Sequence, residues 1–197
     1  MIEVKQISAG IHMTNCYFLA CGGEACFIDP DGVNEAMLDT LAKSGAALRY
    51  ILLTHGHFDH VGGVAKLHER FPDAEIYLSA FDAAMRHSLF PLDAAGVGAK
   101  SYGEGDELPL GDSIIHVYAT PGHTQGSVTL SVGEHLFTGD TLFKGSCGRT
   151  DLAGSDPAAM QESLQRLKAQ SGERKVYPGH GAASTLTQEK EFNPFLR

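Results

Sequence analysis

Apolar residues in the first half of the chain come in short runs broken by glycine, proline or charge. Runs of this length, rich in β-branched and aromatic residues, predict strands, and a 3.6-residue apolar period predicts helices. Strands are expected at 2–7, 15–21 and 25–29, the last two as a hairpin turning at Gly22-Gly23. A helix over 34–44 stops at Gly45, and the strongly apolar segment 48–54 reads as a strand buried on both faces. Helix 63–70, strand 75–78 and a short helix from Ser79 follow, with Asp82 completing a capping pattern. Residues 88–105 show no period and read as a mobile loop. Strands are then expected at 113–119, 127–132 and 135–138, and a helix capped by Asp156-Pro157 runs to about Gln170. Strand 175–177 and a last short helix over 185–191, opened by Thr185 and Gln188, complete the chain. So many strands interleaved with helices predict a mixed α/β domain, two sheets with helices outside, spanning 1–197 as one unit.

Composition narrows the function. The hydrophobic share of 43% and charged share of 20% are those of a soluble globular protein. No apolar run is long enough for a membrane span, and the N-terminus lacks a secretory layout, so a cytoplasmic protein without membrane attachment is expected. A net charge of −9 argues against nucleic-acid binding, which needs a basic surface. The four cysteines form no Cys-x-x-Cys pair, and Cys26 falls opposite Leu19 in the hairpin, so reduced thiols packed as small hydrophobes are expected. The oligomeric state has no signature in the sequence.

The chemistry lies where strands end. Strand 48–54 runs into His55-Gly-His57-Phe-Asp59-His60, three imidazoles and a carboxylate in one loop. Such donors are ligands of zinc, iron and manganese, and a divalent cation offsets the cost of gathering them. Three later strands end in Thr120-Pro-Gly-His123, Thr138-Gly-Asp140 and Tyr177-Pro-Gly-His180. Residues two apart in extended chain point the same way, so His55 and His57 pair, with His123, around a first ion. Asp59 and His60 are displaced toward a second position shared with His180, and Asp140 bridges the two through its carboxylate oxygens. Ions held this way are typically ~3.5–4 Å apart and share a hydroxide. The remaining histidines, His12, His68, His87, His116 and His135, lack such neighbours and read as surface or core.

Taken together and in this order, the motifs Thr54-His-Gly-His-Phe-Asp-His60, Thr120-Pro-Gly-His-Thr124, Thr138-Gly-Asp-Thr141 and Pro178-Gly-His180 resemble the metallo-β-lactamase superfamily. The resemblance implies a four-layer αββα sandwich with a dinuclear metal site at one edge of the sheets, and the ligand roles just given. The stretch from Gly139 to Asp151 and the ending Glu191-Phe-Asn-Pro-Phe-Leu196 are most similar to the compact glyoxalase II-like hydrolases. That likeness implies a metallo-hydrolase with two divalent ions (zinc, or iron or manganese), acting on a small-molecule thioester of the S-acylglutathione type. The bridging hydroxide would be the nucleophile and Asp59 the residue that directs it. Where glyoxalase II has a lysine and a tyrosine on glutathione, this chain has Arg149 and Asp151, of which Arg149 keeps the positive charge. The chain also ends before the C-terminal helical domain of full-length glyoxalase II. A persulfide dioxygenase is similar too, with the same fold, a similar Cys147-Gly-Arg-Thr-Asp151 stretch and one iron on residues matching His55, His123 and Asp140. A lactonase would share the nucleophile and its geometry.

Overall fold

The computed structural model describes residues 2–8, 10–85, 89 and 97–197. Two six-stranded sheets face each other. The first has the spatial order β1 (Glu3–Ile7), β2 (Cys16–Cys21), β3 (Glu24–Ile28), β4 (Ala47–Leu52), β5 (Glu75–Leu78) and β6 (Lys100–Ser101). Its first three strands are antiparallel and the rest parallel, because helices intervene: α1 (Glu35–Ser44) between β3 and β4, then α2 (Phe58–Val61) and α3 (Val64–Arg70) before β5. A short α4 (Ala80–Ala83) leaves β5. The second sheet takes β7 (Glu107–Leu110), β8 (Ser113–Ala119), β9 (Val128–Val132) and β10 (His135–Gly139) as an antiparallel meander. The small hairpin of β11 (Leu142–Phe143) and β12 (Ser146–Cys147) and the helix α5 (Pro157–Lys168) come next. Strand β13 (Lys175–Pro178) then returns parallel to β10, followed by β14 (Ser184–Thr185), α6 (Leu186–Phe192) and a 3-10 turn at Pro194–Leu196.

Strand alternation sorts the side chains into three apolar layers. On β2, Cys16, Phe18 and Ala20 face Met37, Leu41, Val64 and Leu67 of α1 and α3. Tyr17, Leu19 and Cys21 point the other way, into the space between the sheets, where they meet Val117, Leu130 and Phe137. Beyond the second sheet, Leu136 and Val176 pack on Met160, Leu164, Leu167 and Leu186 of α5 and α6. The result is the expected αββα sandwich.

The helix ends follow the sequence. Asn34 accepts from the Met37 amide and Gly45 takes a left-handed φ of 66° at the end of α1, Asp156 caps α5, and Thr185 accepts from the Gln188 amide. Cys26 pairs with Leu19 in register, and all four cysteines are free thiols. Three expectations need correction. Strand β4 is exposed or half-exposed over Ala47–Arg49 and buried on both faces only from Tyr50 onward. The expected mobile loop lies partly outside the described residues, but its later part holds β6 and a buried Tyr102 whose hydroxyl donates to the Leu53 carbonyl at 2.8 Å. Asp82 does not serve as a helix cap: Ser79 alone caps α4, and Asp82 turns inward. No helix among the described residues is long and apolar enough to cross a membrane.

Candidate metal centre

The four motif-bearing loops meet at one edge of the sandwich. β4 delivers His55 and His57 directly, and the single turn of α2 carries Asp59 and His60 one step further along the edge. β8, β10 and β13 end just before His123, Asp140 and His180. Ligand atoms of His55, His57 and His123 lie within 4.8 Å of one another, as do those of Asp59, His60 and His180, and those of His55, His60 and Asp140. Asp140 stands between the two histidine sets: Oδ1 is 3.4 Å from His60 Nε2, while Oδ2 is 3.5 Å from His123 Nε2 and 3.6 Å from His180 Nε2. Asp59 Oδ2 lies 3.2 Å from His180 Nε2. All seven sequence-predicted ligands are therefore in one cluster. The close approach of β13 to Asp140 requires Gly179, where a β-carbon would stand 2.3 Å from Asp140 Oδ1.

Neighbouring groups fix the imidazole tautomers. His123 Nδ1 sits 2.9 Å from the Arg149 carbonyl, which only accepts, so Nδ1 carries the proton and Nε2 presents its lone pair to the cluster. Thr54 Oγ1 gives its proton to Asp29 Oδ2 at 2.6 Å and so can accept from His55 Nδ1 at 3.2 Å, again leaving Nε2 for the site. Asp29 also accepts from the Thr54 amide at 2.7 Å, and its Oδ2 faces His60 Nδ1 at 3.0 Å, a charge contact rather than an aligned hydrogen bond. Such carboxylate–histidine pairs orient metal ligands. Neither Asp29 nor Thr54 was expected to support the site. The only local signal is an Asp closing strand β3 in a left-handed turn, φ 51°.

The chemistry of the cluster fits divalent cations. Buried His55 Nε2, His60 Nε2 and Asp140 Oδ1 have no hydrogen-bond partner among the described residues although they converge, an arrangement that costs free energy until a cation accepts their lone pairs. Burial, and then the neighbouring imidazoles, push His55 well below the usual histidine range, and His57 is pushed down to about 4 chiefly by burial. Both are neutral imidazoles at pH 7. Burial opposes charge on His60, but Asp29 and Asp140 outweigh it and raise its proton affinity well above the ordinary value. The hydrogen bond with Asp59 raises His180. Burial works against ionisation of Asp59 and Asp140, yet the surrounding histidines hold both below the usual carboxylate range.

A cleft of about 510 Å³ opens over the cluster, walled by Phe58, Leu89, Phe143, Cys147, Arg149 and Leu152. Arg149 points outward at its lip and is gripped bidentately by Asp151, at 2.6 and 2.8 Å. His12 borders the same edge, its ring edge-on to Phe58 at 5.0 Å and paired with Asp31 at 2.6 Å. His116 pairs with Glu107, His135 lies against Tyr177, and His87 falls outside the described residues.

Residues 9–180 match the metallo-β-lactamase superfamily. An uncharacterised protein of Mycobacterium tuberculosis is 34% identical over 95% of this chain and 95% of its own length. Hydroxyacylglutathione hydrolase 1 of Vibrio vulnificus is 32% identical over 88% of this chain and 78% of its own. Among solved structures, the B3 metallo-β-lactamase BLEG-1 superposes with a TM-score of 0.85 at 33% identity, covering 98% of this chain and 99% of that one. TTHA1623 in a di-iron-bound form gives 0.84 at 36% identity, covering 98% and 100%. ETHE1 of Myxococcus xanthus gives 0.80 at 29% identity, covering 98% and 83%. The fold, the motif order and these matches agree: this chain belongs to the metallo-β-lactamase superfamily.

Proposed function

We propose that this chain is a metallo-hydrolase cleaving small-molecule thioesters of the S-acylglutathione type, with two divalent ions held by the seven clustered side chains. The observation that carries this reading is the convergence of three mutually close ligand triads, with Asp140 facing both histidine sets. His55, His57 and His123 would hold the first ion, Asp59, His60 and His180 the second, and Asp140 both. When bound, such a pair supplies a water activated toward nucleophilic attack at neutral pH and a Lewis acid for the carbonyl oxygen.

The protein's own part is to hold, orient and exclude. Asp59 Oδ2, ionised and partly open to the cleft, would accept a hydrogen bond from the attacking water and so set its direction. Phe58, Leu89, Phe143 and Leu152 shield the reacting carbonyl from bulk water. Among the described residues lining the cleft, no carboxyl or imidazole group stands apart from the seven to protonate an alkoxide or amine on departure. A thiolate leaves without such help, which is why a thioester suits this site. Arg149, held by Asp151 at the lip, would meet a carboxylate on the leaving thiol.

The likeness to hydroxyacylglutathione hydrolase supports this substrate class, and the likeness to ETHE1 supports a second reading, a one-iron oxidoreductase using His55, His123 and Asp140. Metal analysis joined to anaerobic assays separates them. Two ions per chain and cleavage of S-lactoylglutathione without oxygen are expected. One iron, with oxygen uptake on glutathione persulfide, would favour the second reading. A homoserine lactone or β-lactam turned over in preference to every thioester would replace the substrate assignment.

A further inference from the structure

We propose that Asp82 is the positioning residue for the first ion, clamping the loop of His55 and His57 to the loop of His123 so that its removal weakens that ion alone. This rests on the ligand assignment proposed above. α4 exposes Phe81 and buries only Asp82, which is 2% exposed and bears a carboxylate where an apolar residue would fill the space at lower cost. Its two oxygens are satisfied by donors from two separate segments. Oδ2 accepts from the Gly56 amide at 2.9 Å and from Thr124 Oγ1 at 2.8 Å, and Oδ1 accepts from the Gly126 amide at 2.9 Å.

Two of the three donors sit next to a first-site ligand, and the third, Gly126, lies in the turn that follows His123. Gly56 lies between His55 and His57, and Thr124 follows His123. The His57 Nδ1 to His123 Nε2 separation, 2.9 Å, is the distance this clamp spans indirectly. Gly126 is a close-approach glycine, since a β-carbon there would lie 2.5 Å from Asp82 Oδ1. Thr124 Oγ1 is also 2.8 Å from Ser127 Oγ, which stiffens the same turn. Asp59, His60 and His180, on α2 and after β13, give no hydrogen bond to Asp82. His60 is backed by Asp29, which also reaches His55 through Thr54, and His180 follows strand β13. The asymmetry makes the effect selective.

The test is a zinc titration against a chromophoric chelator, with Asp82→Asn placed in two backgrounds. His180→Ala disables the second site and His57→Ala the first. In the His180→Ala background, Asp82→Asn weakens the remaining zinc by about 10–100-fold, the usual scale for groups behind metal ligands. In the His57→Ala background the remaining zinc changes by less than about threefold, because none of the three donors to Asp82 adjoins Asp59, His60, Asp140 or His180. Thr124→Val, which deletes one donor and keeps the shape, gives a smaller change with the same selectivity. Urea unfolding of the metal-free variants checks that the selectivity is not general loosening. Equal weakening in both backgrounds, or none in the first, overturns the clamp. If the unaltered chain binds no zinc, or if His57→Ala and His180→Ala remove the same ion, the ligand assignment itself has failed.

Discussion

The two halves of the candidate metal centre use the same donor types in different media. His55, His57 and His123 are all at most 4% exposed, rooted in β4 and the turn after β8, and tied back through Thr54, the Arg149 carbonyl and Asp82. Of the other set, His60 is buried, but the side chains of Asp59 and His180 are 18% and 31% exposed, and their nearest partner is each other. Two of the imidazoles in the deep half are kept neutral by burial, so they are ready to ligate. In the outer half the carboxylates raise the proton affinity of both histidines, so a cation would compete with protons there. On the ligand assignment proposed above, one half would retain its ion and the other would exchange it and meet the substrate.

The largest effect should come from the outer half. Asp59→Ala removes both a second-ion ligand and the acceptor that directs water, so kcat for a thioester should fall by on the order of 10²–10⁴-fold while one ion stays bound. Full activity in that variant would break the division of labour. In the deep half, Thr54→Val cuts the bond to Asp29 and leaves a buried carboxylate oxygen short of a donor. Urea unfolding of the metal-free protein should show a loss of about 1–3 kcal/mol, and an unchanged midpoint would mean the relay to His55 is slack.

Acidification should separate the halves. A group with raised proton affinity stays protonated to higher pH, so protons on His60 and His180 compete with the second ion over a range reaching above the ordinary histidine value. Its affinity should climb with pH there, by about tenfold per unit for each proton released, and level off above their raised pKa values. His57, pushed down to about 4, and His55, pushed well below the usual histidine range by burial, have no such protons to lose at neutral pH. Metal release during a pH titration should therefore proceed outer ion first, and simultaneous release would contradict the contrast. The smallest effect is expected at the lip. The Arg149 side chain is exposed and only its carbonyl holds His123, so Arg149→Ala should leave ion count and unfolding midpoint unchanged. It should raise KM for carboxylate-bearing thioesters more than for uncharged ones.

Much of this was legible in the residues because the signals are local. Strands 75–78 and 113–119 appear with the bounds expected, since alternation and turn residues delimit them, and the ligand-bearing loops follow their strands as the motifs implied. β7 was missed because Pro109 reads against a strand interior, whereas an edge strand tolerates it; Pro109 lies on the outer strand of the second sheet. The hairpin of β11 and β12 has two residues per strand, too few to carry a period. Asp82 fits a capping pattern with Ser79 three residues earlier, and that local match conceals partners 26, 42 and 44 residues away. Asp29 and Thr54 are hidden in the same way, since their bond spans 25 residues and leaves no trace in either strand. First-rank ligands announce themselves by spacing, whereas the groups that aim them become visible only once the chain is folded.

The most direct test is the metal content of the purified chain after saturation and desalting, measured together with that of Asp140→Ala. Two ions per chain, falling to one or none when the shared carboxylate is removed, is the predicted result. A chain that never holds more than one ion, or a variant that keeps both, would contradict a two-ion centre built around Asp140.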